Sequence, residues 1–202
     1  LKINLKTFLT FILVVTFVFP FSGGIYEIPE VEAGFRKVVF LTTADRSWVV
    51  PNDWNNQANM VEVIGGGGGA GDAQNTEGSG GAGGGGYARS VNLNLTRGSS
   101  MTAGTHFNVG AAGVGGTTSG DGTKGGNSWF NQSDGVFANC TNSAFCVKAE
   151  GGEGSLGTSA TAGGVGGATA SATGVLTWAG GTGGLGCVDS SAGGGGGGAG
   201  GP

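Results

Sequence analysis

The chain has 202 residues, of which 49 are glycine; only 11% are charged, and the formal net charge is −4. That weak acidity gives no electrostatic reason to expect nucleic acid or an anionic membrane as a partner. Sparse charge beside 4 Trp and 11 Phe also sets the chain apart from disordered sequences, which are charge-rich and poor in bulky residues.

The N-terminus reads as an export signal. Lys2 and Lys6 precede an apolar stretch from Phe8 to Phe19, which Pro20 breaks. This is the length of a signal core and is short for a bilayer span. The small-residue site Val31-Glu32-Ala33 predicts cleavage before Gly34. Residues 1–33 are therefore expected to be a signal peptide, or, if uncleaved, an anchor that is the chain's link to a membrane. Export suits the cysteines Cys140, Cys146 and Cys187, since oxidising compartments permit disulfides. Cys140 and Cys146 flank a short segment and form a candidate disulfide; three free thiols are the alternative. An odd count leaves at least one sulfur unpaired within the chain.

Residues 34–64 read as a β segment leading into a glycine-rich remainder. Residues 36–43 and 59–64 have the β-branched content of strands, and Pro51-Asn52-Asp53 between them signals a turn. Trp48 and Trp54 flank that turn and are expected to pack the β part. Alternation in 60–64 puts Val61 and Val63 on one apolar face. Residues 87–95 place Tyr87, Arg89, Val91, Leu93 and Leu95 on one face, and 106–110, 145–150 and 174–179 are further strand candidates.

Residues 65–202 form the glycine-rich part, and its glycine runs have a period of three. Ala179, Thr182 and Leu185 are spaced by glycine pairs, as are Ala162, Val165 and Ala168, and Glu150, Glu153 and Leu156 nearly so. Three residues per turn without internal hydrogen bonds is polyproline II geometry. Collagen keeps one glycine per turn because one face meets a crowded axis; here two faces would meet other backbones and one would point out. Six runs are legible: 65–71, 80–86, 151–156, 163–168, 180–186 and 193–201. The last stops at Pro202 and reads as truncated. A single glycine helix has too little side chain to offset its backbone entropy, so the runs must bond to one another. The expected fold is mainly β and irregular: short strands joined to a bundle of polyglycine II helices, with essentially no α-helix outside the N-terminal signal.

Trp48-Val49-Val50-Pro51, Asp53-Trp54-Asn55, "NMVEVIGGGGGAG", "GGGGYA", "FNVGAAG", "GGNSWFN" and "VKAEGGEG" together resemble a glycine-rich domain of phage tail-fibre and tail-tip adhesins and related bacterial exported proteins. The resemblance spans roughly residues 38–202. It implies a polyglycine II bundle with receptor-reading loops at its ends. It also implies a non-enzymatic adhesion protein that binds a surface glycan or outer-membrane protein, with a fibre or envelope protein as a further partner. An export signal and a chain that stops inside a glycine run depart from that pattern. The location expected is secreted or cell-surface, or alternatively the virion tail. An exported structural protein of an envelope or matrix is a second reading. Ice binding by a flat glycine-helix face is a third, set against the irregular outward residues Val165, Leu185, Glu150 and Glu153.

Chemistry motifs are weak. Gly66, Gly68 and Gly71 match a dinucleotide fingerprint in spacing, but a polar loop comes next where a helix N-terminus is required. The glycines around Lys124 lack the Ser/Thr that a phosphate loop needs. His106 is the chain's only histidine and reads as structural. No Cys/His spacing suits zinc, so no catalytic residue, cofactor or metal is expected. Two loops are candidates for recognition, 72–79 and 117–139, because loops on rigid scaffolds carry binding. They supply Asp72, Gln74, Asn75, Glu77, Asp121, Lys124, Trp129, Phe130 and Asp134 as candidate receptor contacts, although Trp129 and Phe130 also read as core. Asn94, Asn131 and Asn139 lie in glycosylation sequons, relevant only in a glycosylating host.

Overall fold

A computed structural model describes residues 37–72, 78–131, 140–157, 162–187 and 192–202. The chain divides into two units, Leu1–Val39 and Phe40–Pro202; every described strand and glycine run belongs to the second. The described residues are strands and irregular backbone, with a single short 3-10 turn at Thr169–Ser171 as their only helical element. The expected export signal and its cleavage site lie outside the described residues.

Among the described residues eight short strands make three small antiparallel sheets. They are β1 (Ser47–Val49), β2 (Met60–Ile64), β3 (Tyr87–Val91), β4 (Ser100–Thr102), β5 (Phe107–Asn108), β6 (Ser128–Asn131), β7 (Cys146–Ala149) and β8 (Leu176–Trp178). β1 pairs with β4, β3 lies between β2 and β8, and β6 lies between β5 and β7. Their shared core holds Val50, Ala88, Leu93, Leu95, Met101, Phe107, Phe130 and Val147, with Trp48, Trp54, Val61 and Val63 packed against it. Trp48 meets Trp54 edge-on at 5.7 Å and Phe130 at 6.0 Å between ring centres, an arrangement that aromatic quadrupoles favour.

Three sequence expectations need correction. Residues 37–42 form no strand, and Phe40 is 85% exposed. A strand needs a partner edge, and the edge of β4 is taken by Ser47–Val49 instead. On β3 the residues turned to β7 are Ala88 and Ser90, both fully buried. The predicted face of Tyr87, Arg89 and Val91 lies on the other side, where Tyr87 is buried, Arg89 partly buried and Val91 exposed. Small residues are needed at 88 and 90 because β3 packs on β7, close enough for the Ser90 hydroxyl to donate to the Cys146 carbonyl (3.2 Å). The regular alternation also stops early: Asn92 has φ 58°, and Leu93 and Leu95 reach the core from a loop rather than from the strand. Val61 and Val63, by contrast, do share the inner face of β2, with Met60 and Ile64 about half exposed.

The glycine runs alternate with the strands along the chain. Eight are observed: I (65–72), II (78–86), III (110–117), IV (120–126), V (150–157), VI (162–168), VII (179–187) and VIII (192–202). Runs III and IV were not legible as runs in the sequence. Bonds between runs recur every third residue. Gly65 and Gly68 donate to Gly86 and Gly83, Gly66 and Gly69 to Gly126 and Thr123, and Gly78, Gly81 and Gly84 to Cys187, Gly184 and Gly181, all at 2.8–2.9 Å. Three is the interval the sequence predicts for polyglycine II helices. The bonded neighbours arrange the runs as one row IV–V–VI and a second row III–I–II–VII, with VIII against II and VII on the far side. Run II is bonded to five others: I, V, VI, VII and VIII. A Cβ added at Gly84 would fall on the carbonyl of Gly198, and one at Gly65 on that of Glu150, both well inside the 3.0 Å that real Cβ atoms keep. Glycine is therefore dictated by how closely the backbones approach.

Candidate functional site

Runs I, III, V and VII lead away from strands β2, β5, β7 and β8, and runs II, IV, VI and VIII return. The turns between outgoing and returning runs consequently begin and end at one end of the bundle, opposite the strands. Described residues at this tip are tied together. The Asp72 amide donates to the Gly120 carbonyl (3.0 Å), Gly78 to Cys187 (2.8 Å) and Cys187 to Ala192 (3.1 Å). The Asp72 carboxylate accepts the Ser119 amide (3.4 Å), and the Asp121 carboxylate accepts the Gly157 amide (2.8 Å).

The connection from run III to run IV is a tight turn closed by the Gly120 amide donating to Thr117 (3.0 Å). Its central residues, Thr118 and Ser119, have φ of 54° and 63°, the left-handed conformation that a mirror-image turn requires at both positions. Glycine, Asn and Asp dominate such positions; a β-branched residue there is strained. Strain of this kind gathers at ligand clamps and switch regions. No residue pattern in the sequence announced it beyond the Gly after the pair.

The candidate residues separate into three places. Asp72 and Asp121 lie at the tip. Gln74, Asn75, Glu77 and Asp134 lie outside the described residues; the first three belong to a connection whose ends, Asp72 and Gly78, are at the tip. Lys124 lies on the flank of the bundle, where its ammonium bridges Glu150 and Glu153 of run V, 2.6 Å from each. Its hydrogen bonds to Glu150 and then Glu153 raise the Lys124 pKa, and the same contact with Lys124 lowers that of Glu150 against an opposing effect of burial. Lys124 is thus engaged within the chain.

Trp129 and Phe130 are core residues, 7% and 4% exposed. They sit on β6 between β5 and β7, with Phe130 opposite Phe107 and Val147. The expected loop 117–139 is accordingly not one loop. It divides into the tip turn, run IV, strand β6 and a connection that starts from β6 in the strand platform (the three sheets and their shared core). The reason is pairing: Ser128–Asn131 has strand partners on both sides, and its Ser128 hydroxyl donates to the Ile64 carbonyl (2.5 Å) while accepting the Gly110 amide (2.9 Å).

Cys140 and Cys146 are joined as a disulfide beside β7, both residues buried, and Cys187 is an exposed free thiol. His106 accepts the Thr102 amide at Nδ1 (3.0 Å), which commits that nitrogen to the turn it caps. It borders a shallow open depression of about 160 Å³ with Leu95, Thr96, Ser99 and Met101, below the roughly 300 Å³ at which ligand sites begin. Burial, then the hydrogen bond to Glu62, pushes the Tyr87 phenol up to about 12. Among the described residues no three His, Cys, Asp or Glu side chains converge to hold a metal, and no helix is long and apolar enough to cross a membrane. No family model matches the chain, and no curated protein matches it.

Proposed function

We propose that this is a non-enzymatic surface protein whose glycine scaffold presents its tip to a receptor, a bacterial surface glycan or outer-membrane protein. The observation that supports this reading is the convergence of the run-to-run turns at one end of a scaffold held by backbone hydrogen bonds. Loops held by such a frame bind with little loss of entropy, and the strained Thr118-Ser119 pair marks the tip as a place where shape is maintained at a cost in stability. The same reading makes it an exported protein, secreted or held at the cell surface, or a component of a virion tail. The adhesin resemblance of the sequence points the same way, and the strand platform at the opposite end is where a fibre or envelope partner would attach.

The experiment replaces residues 73–77 and 117–120 separately with Gly/Ser segments of equal length. Binding is then measured to intact bacteria and to their extracted glycans and outer-membrane proteins. The expected result is loss of binding without loss of stability: the unfolding temperature is unchanged in the 73–77 variant and unchanged or raised in the 117–120 variant, where the left-handed strain is relieved. Equal binding by both tip variants, with the platform intact, would refute the proposal.

A further inference from the structure

Run II is bonded to five neighbours, yet one row of its amides is unpaired among the described residues. The surface beside that row is partly exposed at Ala82 and at Gly68 of run I, and closes toward the strands, where Gly85 and Gly65 are buried. The amides of run II divide into three rows: Gly81 and Gly84 donate to run VII, Gly83 and Gly86 to run V, and Ala82 and Gly85 donate to nothing among the described residues. Run I shows the complementary gap. Its carbonyls at Gly66 and Gly69 accept from run V and those at Gly67 and Ala70 from run III, while Gly65 and Gly68 accept no hydrogen bond among the described residues. With three residues per turn the rows point about 120° apart, so the leftover amides of run II and the leftover carbonyls of run I face one groove. Run VIII forms its other wall.

Run V, on the opposite side of the same pair, shows what such a groove accepts. Its Gly152 and Ser155 amides donate to Gly66 and Gly69 of run I, and its Glu150 and Glu153 carbonyls accept from Gly86 and Gly83 of run II. The open side offers the same two kinds of row, carbonyls from run I and amides from run II. A helix running in the direction of run V satisfies both.

The walls also carry only small residues. Cβ atoms at Gly67 on run I and at Gly193 and Gly196 on run VIII would meet only a carbonyl of run II, at 3.8, 3.6 and 3.9 Å, which is ordinary contact. Three residues further along the same rows, Ala70 and Ala199 add only a methyl, whereas outward rows elsewhere range from glycine at 195 and 198 to Val114, Glu153, Val165 and Leu185. Along the runs the groove walls thus carry nothing larger than a methyl group, which leaves room for a neighbour made of backbone.

We propose that the groove between runs I, II and VIII takes a further glycine-rich helix, contributed by another polypeptide with Gly-Gly-X triplets and running in the direction of run V. Its amides donate to the carbonyls of Gly65 and Gly68, its carbonyls accept the amides of Ala82 and Gly85, and its X side chains point to solvent. This is the polyglycine counterpart of adding a strand to a sheet edge, and it is independent of what the tip binds.

The test uses the full chain and a fluorescein-labelled (Gly-Gly-Ser)-repeat peptide of about four turns. A (Gly-Pro-Ser)-repeat peptide, which keeps the helix geometry but loses donors, is the control. Saturating Gly-Gly-Ser peptide is expected to slow exchange of the Ala82 and Gly85 amides by about tenfold or more and to raise fluorescence anisotropy; the proline peptide does neither. Gly67→Val with Gly196→Val fills the groove and abolishes the anisotropy change. Unchanged exchange at Ala82 and Gly85, equal binding of the proline peptide, or equal binding by the double variant would each overturn the proposal. Self-association of the chain that the double variant abolishes would also overturn it, by placing a second copy in the groove.

Discussion

Gly84→Ala tests the packing of the bundle most directly. Gly84 lies on run II, where its amide donates to Gly181 and its carbonyl accepts from Gly167, each at 2.9 Å. The added methyl would land on the Gly198 carbonyl of run VIII, so run VIII must move. Moving it stretches the bonds from Gly197 to Ala82 and from Gly200 to Gly85, both 2.8 Å. Two bonds at about 0.5–1.5 kcal/mol each, plus about 1–3 kcal/mol for forcing a methyl into filled space, give a loss of roughly 2–6 kcal/mol. At about 2–4 °C per kcal/mol for a chain of this size, calorimetry should show the melting temperature lowered by roughly 4–24 °C. Gly195→Ala is the matched control, since nothing lies within 4 Å of its added Cβ. It should stay within about 0.5 kcal/mol of the parent or gain slightly by restricting the unfolded chain. If the two variants melt within about 2 °C of each other, backbone contact is not what holds these positions to glycine.

Four other perturbations test particular contacts. Thr118→Asn with Ser119→Gly relieves the left-handed strain at the tip and should stabilise by about 1–2 kcal/mol in denaturant titration; no gain would show that the turn is unstrained. Ser155 is 1% exposed, and its hydroxyl accepts the Gly71 amide (2.8 Å) and donates to the Gly80 carbonyl (2.5 Å). Ser155→Ala leaves both unpaired and should cost about 1–3 kcal/mol in the same titration. Lys124 lowers the Glu150 pKa below its ordinary 4.5, so that contribution is full above the unfolded value and is lost as pH falls through the folded one. Stability should therefore drop on acidification below pH 4.5 by at most about 1 kcal/mol, because the pair is partly exposed, and Lys124→Met should remove that acid-side loss. Cys140→Ser opens the loop closed with Cys146 and should lower stability by about 2 kcal/mol, whereas a maleimide should label Cys187 in the native chain without effect on unfolding.

The period of three in the glycines was legible in the chain because it is a local requirement. A residue that meets a neighbouring backbone has no room for Cβ, and two such faces per turn leave the Gly-Gly-X pattern of runs V to VII in plain sight. The short strands bordering the runs were legible for a similar reason, as β-branched alternation at Val61 and Val63 reports a half-buried face. Runs III and IV escaped notice because they sit at the margin of the bundle. Among the described residues run III is bonded only to runs I and IV, so Ala111, Val114, Asp121, Thr123 and Lys124 occupy positions that interior runs give to glycine.

What the tertiary structure decided is which surfaces meet. Trp129 and Phe130 read from the sequence either as core or as receptor contacts, and β5 and β7 on both sides decide for the core. Alternation puts Tyr87, Arg89 and Val91 on one face of β3 but does not say which face meets β7. That approach is close enough that the small Ala88 and Ser90 fill it, while Tyr87 is buried on the other face. The division of residues 117–139 between tip, run, strand and platform depends on partners distant in sequence, at separations where lengthening a loop adds little further closure entropy. The open groove beside run II is likewise a property of arrangement. Its amides and carbonyls differ from paired ones only in what stands opposite them, and a linear sequence does not carry that information.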